Sequence, residues 1–551
     1  MQGRRWGAFA AAGALALAAT RAFAGYTAGA AVESINPTAE MIASKNFFLG
    51  GYGLGSGRVL NRQELQTPLI APRLATGVMS CPTLPGCDVH ARAVAFGDGA
   101  RAIVFAQIET QGYFVAYKVG PFGISDIRRD AAAAIAALPG YGTALPKIAA
   151  GAILVDSNHT HGGPDTVGVW GGVPPDYLRL VHDRTVQAIV DAYRTMKPAT
   201  LRYGVTDAAG AGGTDNLLAN QFGYDPANQS LDRDLRVIQA KDAQGNVIVT
   251  YTNFSAHPTV LGSSNTLVTS DYTGPLSEMI AKEYGGVGFD QVATLGRTQP
   301  TDRNCDADPL PEGETNDICK LRTYASRVMA KVRSAVWHAT ELDSSTPSVA
   351  LHSYLMIDPA TNVLLFGFAY GGITAGVPIS RAVTPPWFTG TLLGAPSFAG
   401  HIGDVLIAGG PGEMYPQVVN TVRGIVGGGG KIRGQLNIGT AGDFLGYIIA
   451  PLGAYPEPIR RSLFDGDPND PTTWTLSPVD NDNYFFNVSH TFGERLICSL
   501  LRGAGETLDG VAQKYWLQYD PCILFVNDFI VPADADTLVP APPDLSALPV
   551  F

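Results

Sequence analysis

Three apolar stretches of this chain end in residues that can bind a metal or move a proton. The first, Ile153-Leu154-Val155-Asp156-Ser157, continues as Asn158-His159-Thr160-His161-Gly162-Gly163-Pro164. In an extended segment, His159 and His161 turn their imidazoles to one side, because strand side chains alternate with a period of two. They can then serve one site, as two metal ligands or as one ligand and one group facing a substrate. The second stretch ends Asn253-Phe254-Ser255-Ala256-His257-Pro258, a histidine just ahead of a proline that stops the strand. The third ends Ala408-Gly409-Gly410-Pro411-Gly412-Glu413-Met414. Glu413 stands where a helix begins, a place that also suits a carboxylate through the helix dipole. Each motif alone has an ordinary structural explanation. Together they offer two histidines and a carboxylate at the ends of three strands, the donor set of a catalytic zinc ion with one position left for water. Such an ion lowers the pKa of its water to about 7 and polarises a carbonyl, which is the chemistry of amide or ester hydrolysis. No H-E-x-x-H and no G-x-S-x-G occurs, so neither a zincin nor an α/β-hydrolase is indicated.

The elements that must position these residues can be read from periodicity. Apolar strand-like runs occupy 102–108, 149–155, 247–254, 363–368 and 405–408, with helical patterns at 177–196, 275–283, 321–338 and 416–425. Strands and helices in mixed order predict an α/β (mixed α+β) layered enzyme, and enzyme sites gather at strand ends in such folds. No linker or repeat divides the chain. We expect one catalytic domain over 25–530 and an irregular Pro- and Ala-rich tail over 531–551.

Residues 1–24 have the form of a signal peptide. Arg4 and Arg5 precede an apolar run over 8–19, and Ala22-Phe23-Ala24 supplies the small residues of a cleavage site. The run is too short to span a bilayer, and no later stretch is long and apolar enough to do so. A periplasmic or secreted location follows as the expectation. Cys81, Cys87, Cys305, Cys319, Cys498 and Cys522 are even in number and fall into three sequence-local pairs, so an oxidising compartment favours bridges. Local pairing is one of fifteen connectivities that six cysteines allow. A net charge of -11 argues against nucleic acid, whose phosphates need a basic surface. Small molecules, lipids and proteins stay open as partners, including peripheral contact with lipid. Asp156 and Glu109, at the ends of apolar strands, are candidates to orient a ligand histidine.

The motifs in this order resemble the neutral, non-lysosomal ceramidase family. Asn158-His159-Thr160-His161-Gly162-Gly163-Pro164 is similar to its T-H-T-H-S-G-P segment, Ser255-Ala256-His257 to its A-V-H, and Pro411-Gly412-Glu413-Met414 to its P-G-E-F. Gly442-Asp443-Phe444-Leu445-Gly446-Tyr447-Ile448 resembles a segment that supplies a ligating tyrosine, and Tyr455 a following active-site tyrosine. The segments 90–96 and 108–110 resemble early strands of the family. The resemblance implies a neutral-ceramidase-like catalytic domain, with mixed sheets flanked by helices. It implies zinc held by His159, His257, Glu413 and Tyr447, and catalytic roles for His161 and Tyr455. His161 would stabilise the oxyanion or shuttle protons.

Two departures bear on substrate. Gln299, in Gly296-Arg297-Thr298-Gln299-Pro300, stands where the family has a serine needed for activity, and the loop at 213–216 lacks the family's arginine. The resemblance stops short of the family's C-terminal immunoglobulin-like domain, which we do not expect here. A kept zinc framework with altered substrate-reading groups implies an exported zinc-dependent hydrolase of an amide or ester, ceramide or a related lipid among them. The alternative is a non-catalytic metal- or ligand-binding protein on the same scaffold.

Overall fold

The computed structural model describes residues 25–52, 72–117, 119–210, 215–220, 231–296, 298–301, 303–307, 309–359, 382–383, 392–449, 464–465, 475–476, 488–489, 491–524 and 530–533. The signal-peptide segment, the run at 363–368 and Tyr455 lie outside them.

Alternation decides the layering. Along His90–Gly97, Ala91, Ala93 and Ala95 join one core while Val94 and Phe96 join another. Ala102–Ile108 divides in the same way, with Val104, Ala106 and Ile108 opposite Ile103 and Phe105. Strands apolar on both faces need cover on both, so a layer must lie on each side. On one face the cover is helical. Pro175–Arg194 packs on Tyr26–Ser34 and His90–Gly97, Thr273–Tyr284 on Val287–Val292, and Asn316–Trp337 on Lys197–Asp207. On the other face it is a second sheet. Phe96, Phe105, Tyr251 and Phe289 of the first sheet share a core with Phe398, Ile402, Ile407 and Leu436 of the second. Phe492–Asp509 covers the far side of that second sheet at Leu392–Ile402. The fold is therefore a helix–sheet–sheet–helix sandwich, with mixed sheets flanked by helices as expected.

The first sheet runs in the order Val287–Val292, Val247–Phe254, Asp234–Lys241, Lys197–Asp207, Tyr26–Ser34, His90–Gly97, Ala102–Ile108, Ile153–Ser157, with Thr340–Glu341 also on Lys197–Asp207. Its two parallel pairs are the outermost ones, and the rest are antiparallel. In the second sheet Gly434–Ile438 lies parallel to Val405–Gly409, followed by Leu392–Ile402, Val349–Pro359 and Ile530–Ala533. The first sheet coils until its edges meet. Gln291 on one edge strand donates to Asp156 on the other at 2.6 Å, and Gln107 donates to the same carboxylate at 2.9 Å. That closure brings the chain after Ile153–Ser157 toward the chain after Val247–Phe254.

Two expectations need correction. The run at 149–155 opens as a short 3-10 turn, Ala150–Ala152, and the strand proper is Ile153–Ser157. Residues 531–533, expected to be irregular, belong to the edge strand Ile530–Ala533 antiparallel to Val349–Pro359; an edge position tolerates Pro532. The cysteines pair locally, Cys81–Cys87, Cys305–Cys319 and Cys498–Cys522. Among the described residues no helix is long and apolar enough to cross a membrane.

Candidate metal centre

The structure brings His159, His161, His257, Glu413 and Tyr447 to one place. One nitrogen from each of the three histidines lies within 4.8 Å of the others. Glu413 sits between two of them, with Oε2 at 2.9 Å from His257 Nε2 and Oε1 at 3.4 Å from His159 Nε2. His161 Nε2 is 3.1 Å from His159 Nε2. Tyr447 hydrogen-bonds the Glu413 carboxylate, and the two residues pair in a short parallel ladder, Glu413–Met414 against Tyr447–Ile448. Glu413 is therefore extended. The helix starts at Pro416, so the helix-dipole explanation of this carboxylate does not apply.

The two histidines of the H-x-H pair converge for a reason other than strand alternation. The strand stops at Ser157, and His159 has a φ of 62°, in the left-handed region that a residue with a side chain seldom adopts. Asp271 and Thr440 share this trait at 58° and 49°, so backbone strain gathers around the histidine cluster. The strain is held by hydrogen bonds around it. Thr440 Oγ1 donates to the Ser157 carbonyl at 2.6 Å, and Asp271 accepts from the Val260 and Leu261 amides at 3.0 and 2.9 Å.

The ring orienters are main-chain carbonyls. His159 Nδ1 lies 2.7 Å from the Gln111 carbonyl and His257 Nδ1 lies 2.6 Å from that of Thr298. Asp156 and Glu109 do not reach the rings: Asp156 is held by two glutamines, and Glu109 pairs with Arg92 at 3.2 Å and caps the His90 amide. Phe444 stacks on His159 with ring centroids 5.3 Å apart. Sequence reading gives no role to Gln111 or Thr298, because a carbonyl leaves no trace in residue type, and meets Phe444 only as part of a motif.

A neutral imidazole has one N–H to give. His257 presents one nitrogen to the Thr298 carbonyl and the other to Glu413, and His159 is placed in the same way between Gln111 and Glu413, so a cation held between the Nε2 atoms and the carboxylate would satisfy what a single N–H cannot. Burial pushes the His159 imidazole down to about 4 and His161 well below the ordinary range, so both are neutral at pH 7. Burial raises the Glu413 carboxyl, but His159 and the hydrogen bonds from His257 and Tyr447 outweigh it and hold the group below its usual value. With Nδ1 facing a main-chain carbonyl, His159 and His257 each turn Nε2 toward the Glu413 carboxylate, an arrangement of nitrogen and oxygen atoms that suits a divalent metal.

His161 has its own support. The Tyr52 ring meets it edge-on at 4.7 Å, and Arg73 lies over Tyr52 while donating to the His161 carbonyl at 2.5 Å. Gly51 has a φ of 89°, and a Cβ there would stand 2.4 Å from His161 Cγ. Gly51→Ala is expected to displace the His161 ring while leaving His159, His257 and Glu413 in place. Turnover should fall about 100-fold, the cost of a misplaced group, with bound metal retained. Metal content and kcat measured on the same preparation check this.

Gln299 lies in the short strand Thr298–Pro300, and its Oε1 accepts from Thr259 at 2.7 Å and from Arg303 at 3.1 Å. Of the loop at 213–216, Asp215 pairs with Lys331 at 2.7 Å and the Asn216 carbonyl accepts from Thr301 Oγ1 at 2.5 Å. Arginine reaches the site from Arg73 and Arg303 instead.

No family model matches the chain. It is 26% identical over 151 residues to "Neutral ceramidase B" of Dictyostelium discoideum, covering 25% of this chain and 20% of that protein. "Neutral ceramidase A" of the same organism is 26% identical over 149 residues, covering 24% and 20%. The chain thus spans about a fifth of the length of the curated relatives it matches. A crystal structure of neutral ceramidase from Pseudomonas aeruginosa matches with a TM-score of 0.55 at 17% identity, over 86% of this chain and 75% of that one. A structure of a ceramidase complexed with C2 matches with a TM-score of 0.58 at 15% identity, over 88% and 75%.

Proposed function

Because the chain is neutral ceramidase-like in sequence and fold, we propose that it is an exported zinc-dependent hydrolase of an amide or ester bond, with an N-acyl lipid among its substrates. The observation that carries the reading is the set of Nε2 atoms of His159 and His257 turned on the Glu413 carboxylate, each ring fixed from behind by a carbonyl. His159, His257, Glu413 and Tyr447 would hold the ion. Bound zinc supplies a nucleophilic water at neutral pH and a Lewis acid for the scissile carbonyl. His161 stands beside this set with its Nε2 toward His159, placed to hold a proton and pass it to the departing nitrogen or oxygen. Phe444 shields one face of His159 from water, and Tyr447 keeps the carboxylate oriented by its hydrogen bond. Tyr455, assigned a catalytic part by resemblance, lies outside the described residues. The three disulfides suit an oxidising compartment.

Gln299 favours a second reading, a metal-holding binding protein without turnover, since an amide replaces the hydroxyl that the resembling family needs at that place. Metal analysis of the mature protein, paired with fatty-acid release from a panel of N-acyl and ester substrates, separates the two. The hydrolase reading expects about one zinc per chain and turnover lost on chelation. Zinc without turnover selects the second reading, and absence of zinc overturns both.

A further inference from the structure

The wall beside the metal centre carries a cation that the proposed chemistry leaves unused. Arg303 is half-buried, and among the described residues its guanidinium donates only to Gln299 Oε1, at 3.1 Å, and pairs with no carboxylate. It is tied to the metal-binding loop by a short chain of contacts. Gln299 Oε1 also accepts from Thr259 Oγ1 at 2.7 Å, the Thr259 amide donates to the His257 carbonyl at 2.8 Å, and the neighbouring Thr298 carbonyl fixes the His257 ring. Arg303 lies near enough to His161, Tyr52 and Asp271 for its charge to act on each, and Tyr52 links the three, packing edge-on against His161 and donating to the carbonyl of Leu261, whose amide Asp271 holds. Two residues further on, the Cys305–Cys319 bridge pins this segment to the helix Asn316–Trp337.

Among the described residues, the carboxylates that face this space already have partners. Glu413 faces His159 and His257, and Asp271 is occupied by the amides of Val260, Leu261 and Tyr272. Arg73 is not the reader, since it gives its N–H groups to the carbonyls of Gly50, His161 and Asn265. Arg303 therefore keeps a planar fork of donors, of which one bond is spent on a neutral amide. A guanidinium fork matches a carboxylate with two parallel charge-assisted bonds.

We propose that Arg303, steadied by Gln299, is a specificity residue that binds a carboxylate on the substrate's head group, so that the preferred substrates are N-acylated amino acids. The identity of the reaction rests on the hydrolase reading above, whereas the carboxylate preference is a binding property independent of it. In the reaction, water adds to the acyl carbon and the C–N bond breaks. The acyl group leaves as a fatty acid bearing the water oxygen, and the amino-acid nitrogen takes the proton.

The test compares N-dodecanoylglycine with N-dodecanoylethanolamine, which exchanges the carboxylate for a hydroxymethyl group and keeps the rest. Affinities are measured by calorimetry on the mature protein, with metal and after chelation, and hydrolysis is followed on the metal-loaded form. The acylglycine is expected to bind about 10- to 100-fold more tightly, as for a hydrogen bond to a charged group, and the preference should survive chelation. In Arg303→Gln the preference should collapse, the acylglycine losing far more affinity than the ethanolamide. A preference that disappears on chelation belongs to the metal and overturns the proposal, as does one that persists in Arg303→Gln or equal binding of the two ligands. Zinc-dependent turnover without carboxylate preference overturns this inference and leaves the hydrolase reading standing. A carboxylate preference without turnover of either compound does the reverse.

Discussion

His257→Ala is expected to strip the metal and abolish hydrolysis. The ring is buried, fixed at Nδ1 by the Thr298 carbonyl and facing Glu413 at 2.9 Å through Nε2. Removing a partner that merely orients a ligand costs about 10- to 100-fold in metal affinity or activity, and loss of a ligand should exceed that range. Glu413 would also lose one of the groups that hold its carboxyl low. Zinc by mass spectrometry and kcat on the best substrate should fall together. A thermal melt within a few degrees of the parent would show that the change is local. Retained zinc with undiminished turnover would remove His257 from the site and with it the proposed mechanism.

Asp232→Asn should produce the largest loss of stability among the changes considered. Asp232 is fully buried and pairs with buried Arg236 at 2.5 Å. It also accepts from Ser255, Thr294 and Asn437 at 3.0, 2.9 and 2.8 Å. Asparagine leaves the Arg236 guanidinium buried with only the half-buried Asp234 beside it, and breaking a buried pair in this way costs about 3–5 kcal/mol. The pH dependence has a definite sign. Burial pushes the Asp232 carboxyl up, but the Arg236 charge and the hydrogen bonds outweigh it and hold it at about 2, below its unperturbed 3.8. Its charge-dependent stabilisation is thus complete above 3.8 and disappears as the pH falls through about 2. Denaturant melts of parent and variant should differ most near neutrality and converge in acid. A gap that stays constant with pH, or never exceeds about 1 kcal/mol, would contradict this account. Activity should fall as well, because Ser255 precedes Ala256-His257 and Asn437 ties the second sheet to Asn253 at 2.7 Å.

Much of the site was legible because histidine and glutamate at strand ends are conspicuous in an apolar sequence. The runs at 102–108 and 247–254 match the strands Ala102–Ile108 and Val247–Phe254, and the helix at 416–425 lies within Pro416–Gly427. The H-x-H pair does meet His257, but by another geometry than the one expected. Alternation in a strand was the expected cause, whereas a left-handed turn at His159 is what folds the rings together. Asp156 shows the opposite error. A carboxylate at the end of an apolar run suggests a histidine orienter, yet it closes the sheet through Gln107 and Gln291.

By itself, the sequence determined several of the elements and the order of the candidate donor residues along the chain, because periodicity and residue type are local properties. Local cysteine pairing was its preference among the alternatives, and the structure bears it out. What only the tertiary structure decided is how distant pieces meet. The sandwich of two sheets depends on which face of each strand finds which partner, and the closure between Gln291 and Asp156 joins residues 135 positions apart. The carbonyls of Gln111 and Thr298 orient the rings, yet every residue carries a carbonyl, so only its position can give it that role. The same holds for Arg303: an arginine was missing from the loop where sequence looked for it, and another part of the chain brings one to the centre.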